Sequence, residues 1–123
     1  MRVLLAEDDE INRIVVTKIL TNLGCIVTCA GDGREALQLI PAAQPQVILM
    51  DCMMPDLDGY DTTRELRVRE LQSASKRTPV IAITANAIQA DLDLCLSAGM
   101  DAYVTKPLTR DDILAVLRKW APL

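Results

Sequence analysis

A chain of 123 residues, half of them hydrophobic, suits one domain, residues 1–123, with one buried core. Its net charge of −4 argues against direct nucleic-acid binding, which wants a basic face, and no apolar run reaches the ~20 residues of a membrane span, so no membrane contact by the domain is expected. The chain has no histidine, which excludes Ser-His-Asp and Cys-His devices, and its four cysteines form no C-x-x-C pair, which argues against a zinc site.

The N-terminus, MRVLLAEDDE, turns acidic after six residues and is no signal peptide, so the cytoplasm is the default location. Residues 2–6, RVLLA, read as a strand. Residues 9–24 have helical spacing and stop at Gly24. CIVTCA, 25–30, alternates and is β-branched, a second strand. GDGREALQLIPAA, 31–43, is a turn leading into a short helix. QVILMD, 46–51, is an apolar strand that runs into Asp51. Residues 58–72 form a polar-faced helix, 78–85 a strand, 87–99 a helix ended by Gly99, and 100–106 a strand. The last helix spans 109–121, with Thr109 as N-cap and Asp112 three residues on, close to a capping box.

Strand and helix alternate five times, and three strands are apolar throughout, as when helices cover both faces. The expected fold is therefore α/β, a doubly wound parallel sheet. In such sheets ligands bind beyond the carboxyl ends of the strands. Those ends carry Glu7, Asp8 and Asp9 on the first strand, Asp51 on the third, Thr84 on the fourth and Lys106 on the fifth. Singly, each has an ordinary reading: Asp9 as a helix cap, Asp56 and Asp58 as turn and cap residues, Thr84 as a strand residue, Lys106 as a solvated charge. Four strand ends sharing one edge are better explained by one site. Clustered carboxylates repel unless a cation lies between them, and oxygen ligands alone suit Mg²⁺. A hard ion, a lysine and a hydroxyl around one aspartate are what an acyl phosphate requires.

The ordered set LLAEDDEIN, ILMDCMMPDLDGYD, VIAITANA and YVTKPLT resembles a receiver domain of the two-component response-regulator superfamily, over essentially the whole chain. The resemblance implies a flavodoxin-like sheet of five parallel strands in the order 2-1-3-4-5 with five helices. It implies Asp51 as phospho-acceptor, taking a phosphoryl group from a phosphohistidine. It implies Mg²⁺, with Mn²⁺ able to substitute, held by Asp8, Asp51 and the backbone carbonyl of Met53, with Glu7 helping through water. Many members have aspartate where this chain has Glu7, a longer arm. Thr84 would hydrogen-bond the phosphoryl group and Lys106 pair with it; Tyr103 would be the aromatic switch, turning inward when Thr84 moves. The Lys106-Pro107 bond is expected to be cis. The domain would catalyse its own side of the transfer and a slow hydrolysis, rather than being a dedicated enzyme. Phosphorylation would then change the face made by the fourth helix, fifth strand and fifth helix.

Without histidine, the donor must be another protein or domain: a histidine kinase domain or a histidine phosphotransfer protein. AEDDEINRIV, MDCMMPDLDGYDTTRELR and IAITANA are most similar to receivers joined to hybrid sensor kinases, and the sequence ends at RKWAPL, right at the close of the last helix. An excised hybrid-kinase receiver is therefore expected, with a free-standing relay regulator as the alternative. The first helix is apolar over more of its circumference than one core stripe needs, so Ile11 and Ile14 are candidates to dock a helical phosphotransfer partner.

Rival readings fit less well. A haloacid-dehalogenase-type phosphatase wants an aspartate where Met53 stands. GDGREAL lacks G-x-G-x-x-G spacing, and an FMN site would want more aromatics than Tyr60, Tyr103 and Trp120. A degenerate receiver that binds partners without phosphorylation is the serious rival, and the intact Glu7, Asp8, Asp51, Thr84 and Lys106 set speaks against it. The cysteines Cys25, Cys29, Cys52 and Cys95 read as reduced thiols packed as small hydrophobes, although Cys52 sits beside Asp51, where a thiol could in principle sense oxidants.

Overall fold

The computed structural model describes residues 1–86 and 88–120 and shows strands β1 (Arg2–Ala6), β2 (Ile26–Ala30), β3 (Val47–Asp51), β4 (Val80–Thr84) and β5 (Ala102–Thr105). Helices α1 (Glu10–Asn22), α2 (Gly33–Ala43), α3 (Gly59–Ser73), α4 (Gln89–Ala98) and α5 (Arg110–Trp120) alternate with them. The sheet is parallel throughout, in the order β2-β1-β3-β4-β5, as the resemblance implied. No described helix is long and apolar enough to cross a membrane.

Side-chain alternation divides the interior into two cores. Val3, Leu5, Val47, Leu49, Ile81 and Ile83 pack with Val16 and Leu20 of α1 and Ile113 and Leu117 of α5. Leu4, Ala6, Ile48, Met50, Val80 and Ala82 pack with Ala36 and Leu37 of α2, Leu66 of α3 and Cys95 of α4. A strand between two such layers has no wet face, which is why β3 and β4 are buried at every position. The edge strands β2 and β5 are only partly covered, and β2 accordingly keeps a more polar sequence, with Thr28 within it.

Helix ends follow local chemistry. Asp9 caps α1 by accepting from the N–H groups of Ile11 and Asn12, and Asp58 caps α3 by accepting from Asp61. At α5 the expected capping box forms: Thr109 Oγ1 accepts from Asp112 N–H, and Asp112 Oδ2 accepts from Thr109 N–H. Several elements are shorter than their sequence patterns: β4 starts at Val80 rather than residue 78, and β5 at Ala102 rather than residue 100. Pro79 has no N–H to give a ladder, although its carbonyl still accepts from Ile48. The expected start of α4 at Ala87 and the end of α5 at Ala121 fall on residues outside those described.

Candidate functional site

Parallel strands all point their carboxyl ends the same way, so the polar residues that close β1, β3, β4 and β5 meet along one edge. Register places Ala6 beside Met50, Asp51 beside Ile83 and Thr84 beside Thr105. The next residues out are Glu7 and Asp8, Met53, Asn86 and Lys106. Glu7, Asp8 and Asp51 each bring a carboxylate oxygen within 4.8 Å of the others. Glu7 and Asp51 are buried, each only 2% exposed, while Asp8 faces solvent.

Lys106 supplies the positive charge. Its Nζ donates to Asp51 Oδ2 at 2.9 Å and stands 3.6 Å from Glu7 Oε1, too far for a hydrogen bond. The other Asp51 oxygen, Oδ1, accepts from the Met53 N–H at 3.1 Å. Lys106 is aimed by its own backbone: its N–H donates to Thr84 O, and the Lys106-Pro107 bond that follows is cis, as expected.

Glu7 is the anomaly of the site. Both of its carboxylate oxygens are buried, and among the described residues neither has a hydrogen-bond partner. Burial, reinforced by the neighbouring Asp51, pushes its carboxyl up to about 8. Burial pulls the Lys106 ammonium down, and the Asp51 and Glu7 carboxylates more than reverse this, leaving it above its ordinary value. A buried carboxylate without donors wants either a proton or a metal ion. The donor set, three carboxylates and no sulfur or imidazole, fits a hard divalent ion such as Mg²⁺.

Thr84 is buried at the end of β4, but its hydroxyl donates to Asn86 O at 2.9 Å and accepts from Asn86 N–H at 3.2 Å. It stands at the site with its hydroxyl bonded to Asn86 rather than to Asp51. Tyr103 is 46% exposed on β5. The Met53 side chain is exposed beside Asp51. Ile11 and Ile14 are 72% and 60% exposed on α1, and Val15 joins them. The sequence patterns for Asp56 and Asp58 also hold: Asp56 takes a positive φ of 70° in the turn and pairs with Arg34, and Asp58 is the cap of α3.

Two contributors escaped sequence reasoning. Gly59 opens α3 against the end of β3: a Cβ there would collide with the backbone of Asp51 and Cys52. Its N–H donates to Cys52 O. The DG pair in the loop is a visible signal, but it reads as a turn and says nothing of what lies behind it. Arg13 reaches back from α1 to donate from Nη1 to the Glu7 carbonyl, holding the end of β1; its helical position carries no such signal.

A family model described as the response regulator receiver domain matches residues 3–118. Probable histidine kinase 2 of Oryza sativa subsp. indica is 38% identical over 128 residues, an alignment that takes in 93% of this chain. The chain spans only 12% of that relative's length. Among solved structures, the receiver domain of sensor histidine kinase PA1611 from Pseudomonas aeruginosa PAO1 is similar, with TM-score 0.86 and 42% identity over 97% of this chain and 95% of that one. That structure carries a magnesium ion coordinated in its active site cleft. The Saccharomyces cerevisiae Ssk1 receiver, solved with the phosphotransfer protein Ypd1, superposes with TM-score 0.93 at 26% identity, covering 98% of this chain and 88% of that one.

Proposed function

This chain belongs to the response regulator receiver domain family, and from that premise we propose that Asp51 accepts a phosphoryl group from a phosphohistidine on another domain or protein. The observation that carries this reading is the pairing of Lys106 Nζ with Asp51 Oδ2 next to the unpartnered Glu7 carboxylate. In the transfer, a carboxylate oxygen of Asp51 bonds to phosphorus as the phosphorus–nitrogen bond of the donor breaks, and its electron pair stays on the imidazole. Lys106, 2.9 Å away, neutralises charge on the phosphoryl oxygens. Thr84 leaves Asn86 to donate its hydroxyl to the phosphoryl group, and the space it vacates admits the Tyr103 ring. Asp8, Asp51 and the Met53 carbonyl would hold Mg²⁺, with Glu7 through water. When bound, the ion supplies charge that offsets the carboxylates and the incoming phosphoryl oxygens.

The donor is a histidine kinase domain or a histidine phosphotransfer protein, as the Ypd1–Ssk1 pair and the kinase relatives support. Ile11 and Ile14, exposed on α1 near the site, offer that partner an apolar surface. The test is incubation with acetyl phosphate and Mg²⁺. The expected result is a gain of about 80 Da, one phosphoryl group, that is lost in Asp51→Asn. A gain that survives the substitution would remove Asp51 from its role.

A further inference from the structure

Outside the acidic site, the interior holds a second pair of reactive groups. Cys52 Sγ and Cys95 Sγ lie 4.0 Å apart, although 43 residues separate them in the chain. Both are buried, at 2% and 3% exposure. Cys52 directly follows Asp51, and its N–H donates to Ile83 O, so it is fixed to the end of β3. Cys95 lies on the inner face of α4, and its carbonyl accepts from Met100 N–H at the turn into β5. We propose that these two thiols are a modification site: a hydroperoxide-class oxidant converts them to a disulfide that ties α4 to the end of β3.

A cavity of about 550 Å³ between α4, β5 and α5 is lined by Cys95, together with Leu92, Met100 and Tyr103. Cys52 does not line it. Cys95 therefore meets the oxidant first and Cys52 resolves the product. The Cys95 sulfur attacks the peroxide O–O bond, giving a sulfenic acid and, from hydrogen peroxide, one water. The Cys52 sulfur then displaces the sulfenic hydroxyl, which leaves as a second water with the Cys52 proton. Two thiols and one hydrogen peroxide give one disulfide and two waters; sulfur loses two electrons and the O–O bond takes them. The other cysteines are placed differently. Cys25 packs in the opposite core, beneath α1 and α5, and Cys29 Sγ sits 3.3 Å from Thr17 Oγ1 on that same side of the sheet.

The consequence rests on the phospho-acceptor reading. If phosphorylation at Asp51 shifts α4, a covalent tie between α4 and the residue after Asp51 holds the helix in its unphosphorylated place. Reduction by a small thiol releases it.

The test treats the reduced chain with hydrogen peroxide and follows intact mass and non-reducing peptide maps. The expected result is a loss of about 2 Da in a single Cys52–Cys95 link, reversed by dithiothreitol. Cys52→Ala and Cys95→Ala each abolish that loss, and Cys25→Ala and Cys29→Ala keep it. Oxygen addition without mass loss, or a link through Cys25 or Cys29, overturns the site. Hydrogen exchange then reads the tie. With Mg²⁺ and beryllofluoride, α4 amides of the reduced protein change their exchange and those of the oxidised protein do not; equal responses overturn the lock. A Cys52–Cys95 link in a protein whose reduced form ignores beryllofluoride leaves the modification site standing and brings down the phospho-acceptor reading, and the lock with it.

Discussion

At the scale of single residues, Glu7 has the largest consequences. Its carboxyl sits near 8 in the folded chain against an ordinary value of 4.5. Between those values the folded state holds a proton that the unfolded state has released, so stability falls as pH rises across that window and levels off above it. In the metal-free protein the fall across the whole window is on the order of 5 kcal/mol, and Glu7→Gln should flatten it; urea midpoints at pH 5 and pH 8 read most of the difference. Mg²⁺ should reverse the balance, because its carboxylate ligands bind it deprotonated. Its apparent affinity is expected to rise with pH by up to about tenfold per unit below pH 8, where the Glu7 proton must leave, and titration calorimetry at two pH values checks this.

At the scale of elements, close approach and buried charge hold the site's walls. Gly59 lets α3 start against the backbone of Asp51 and Cys52. A methyl there has no space to enter, so Gly59→Ala should cost about 2 kcal/mol or more and slow phosphorylation by acetyl phosphate together with it. Arg67 performs the joining at the other end of the sheet. It donates to Thr78 O and Glu70 Oε1 at 2.8 Å and to Gly99 O and Asp101 Oδ2 at 2.9 Å, binding α3 to the approaches of β4 and β5. Its side chain is 13% exposed, and Glu70 and Asp101 are similarly covered. Arg67→Met would leave Glu70 with the Thr78 N–H and Asp101 with Arg77 and the Val80 N–H, so a loss of about 1–3 kcal/mol is expected in denaturant unfolding. Arg34→Met breaks a pair with Asp56 whose side chains are 66% and 60% exposed, and should cost less than about 1 kcal/mol.

At the scale of the whole molecule, the winding of the sheet converts sequence order into a site. β1, β3 and β4 are adjacent, so the acids after β1 stand beside Asp51, and β5 brings Lys106 in from the edge. The two cores on either face give that edge a stiff platform. Ligands of the proposed site would bind only the assembled edge, so Mg²⁺ with beryllofluoride should stabilise the fold by mass action, by about 2.7 kcal/mol at a hundredfold excess over the dissociation constant. Thermal unfolding with and without the pair reads this, and Asp51→Asn should erase the beryllofluoride part.

The sequence by itself determined the alternation of strand and helix, the caps at Asp9, Asp58 and Thr109, and the fact that Glu7, Asp51, Thr84 and Lys106 stand at strand ends. These depend on hydrophobic periods and on hydrogen bonds within a turn of chain, which near neighbours decide. The LLAEDDEIN to YVTKPLT set made the strand order and the cis Lys106-Pro107 bond readable by resemblance. Tertiary structure alone decided which groups touch. Only packing sets the 2.9 Å between Lys106 and Asp51 across 55 residues, leaves Glu7 without a donor, turns Thr84 toward Asn86, and brings the Cys52 and Cys95 sulfurs to 4.0 Å. Such distances follow from how strands are ordered and how helices lie across them, and no local run of residues encodes them.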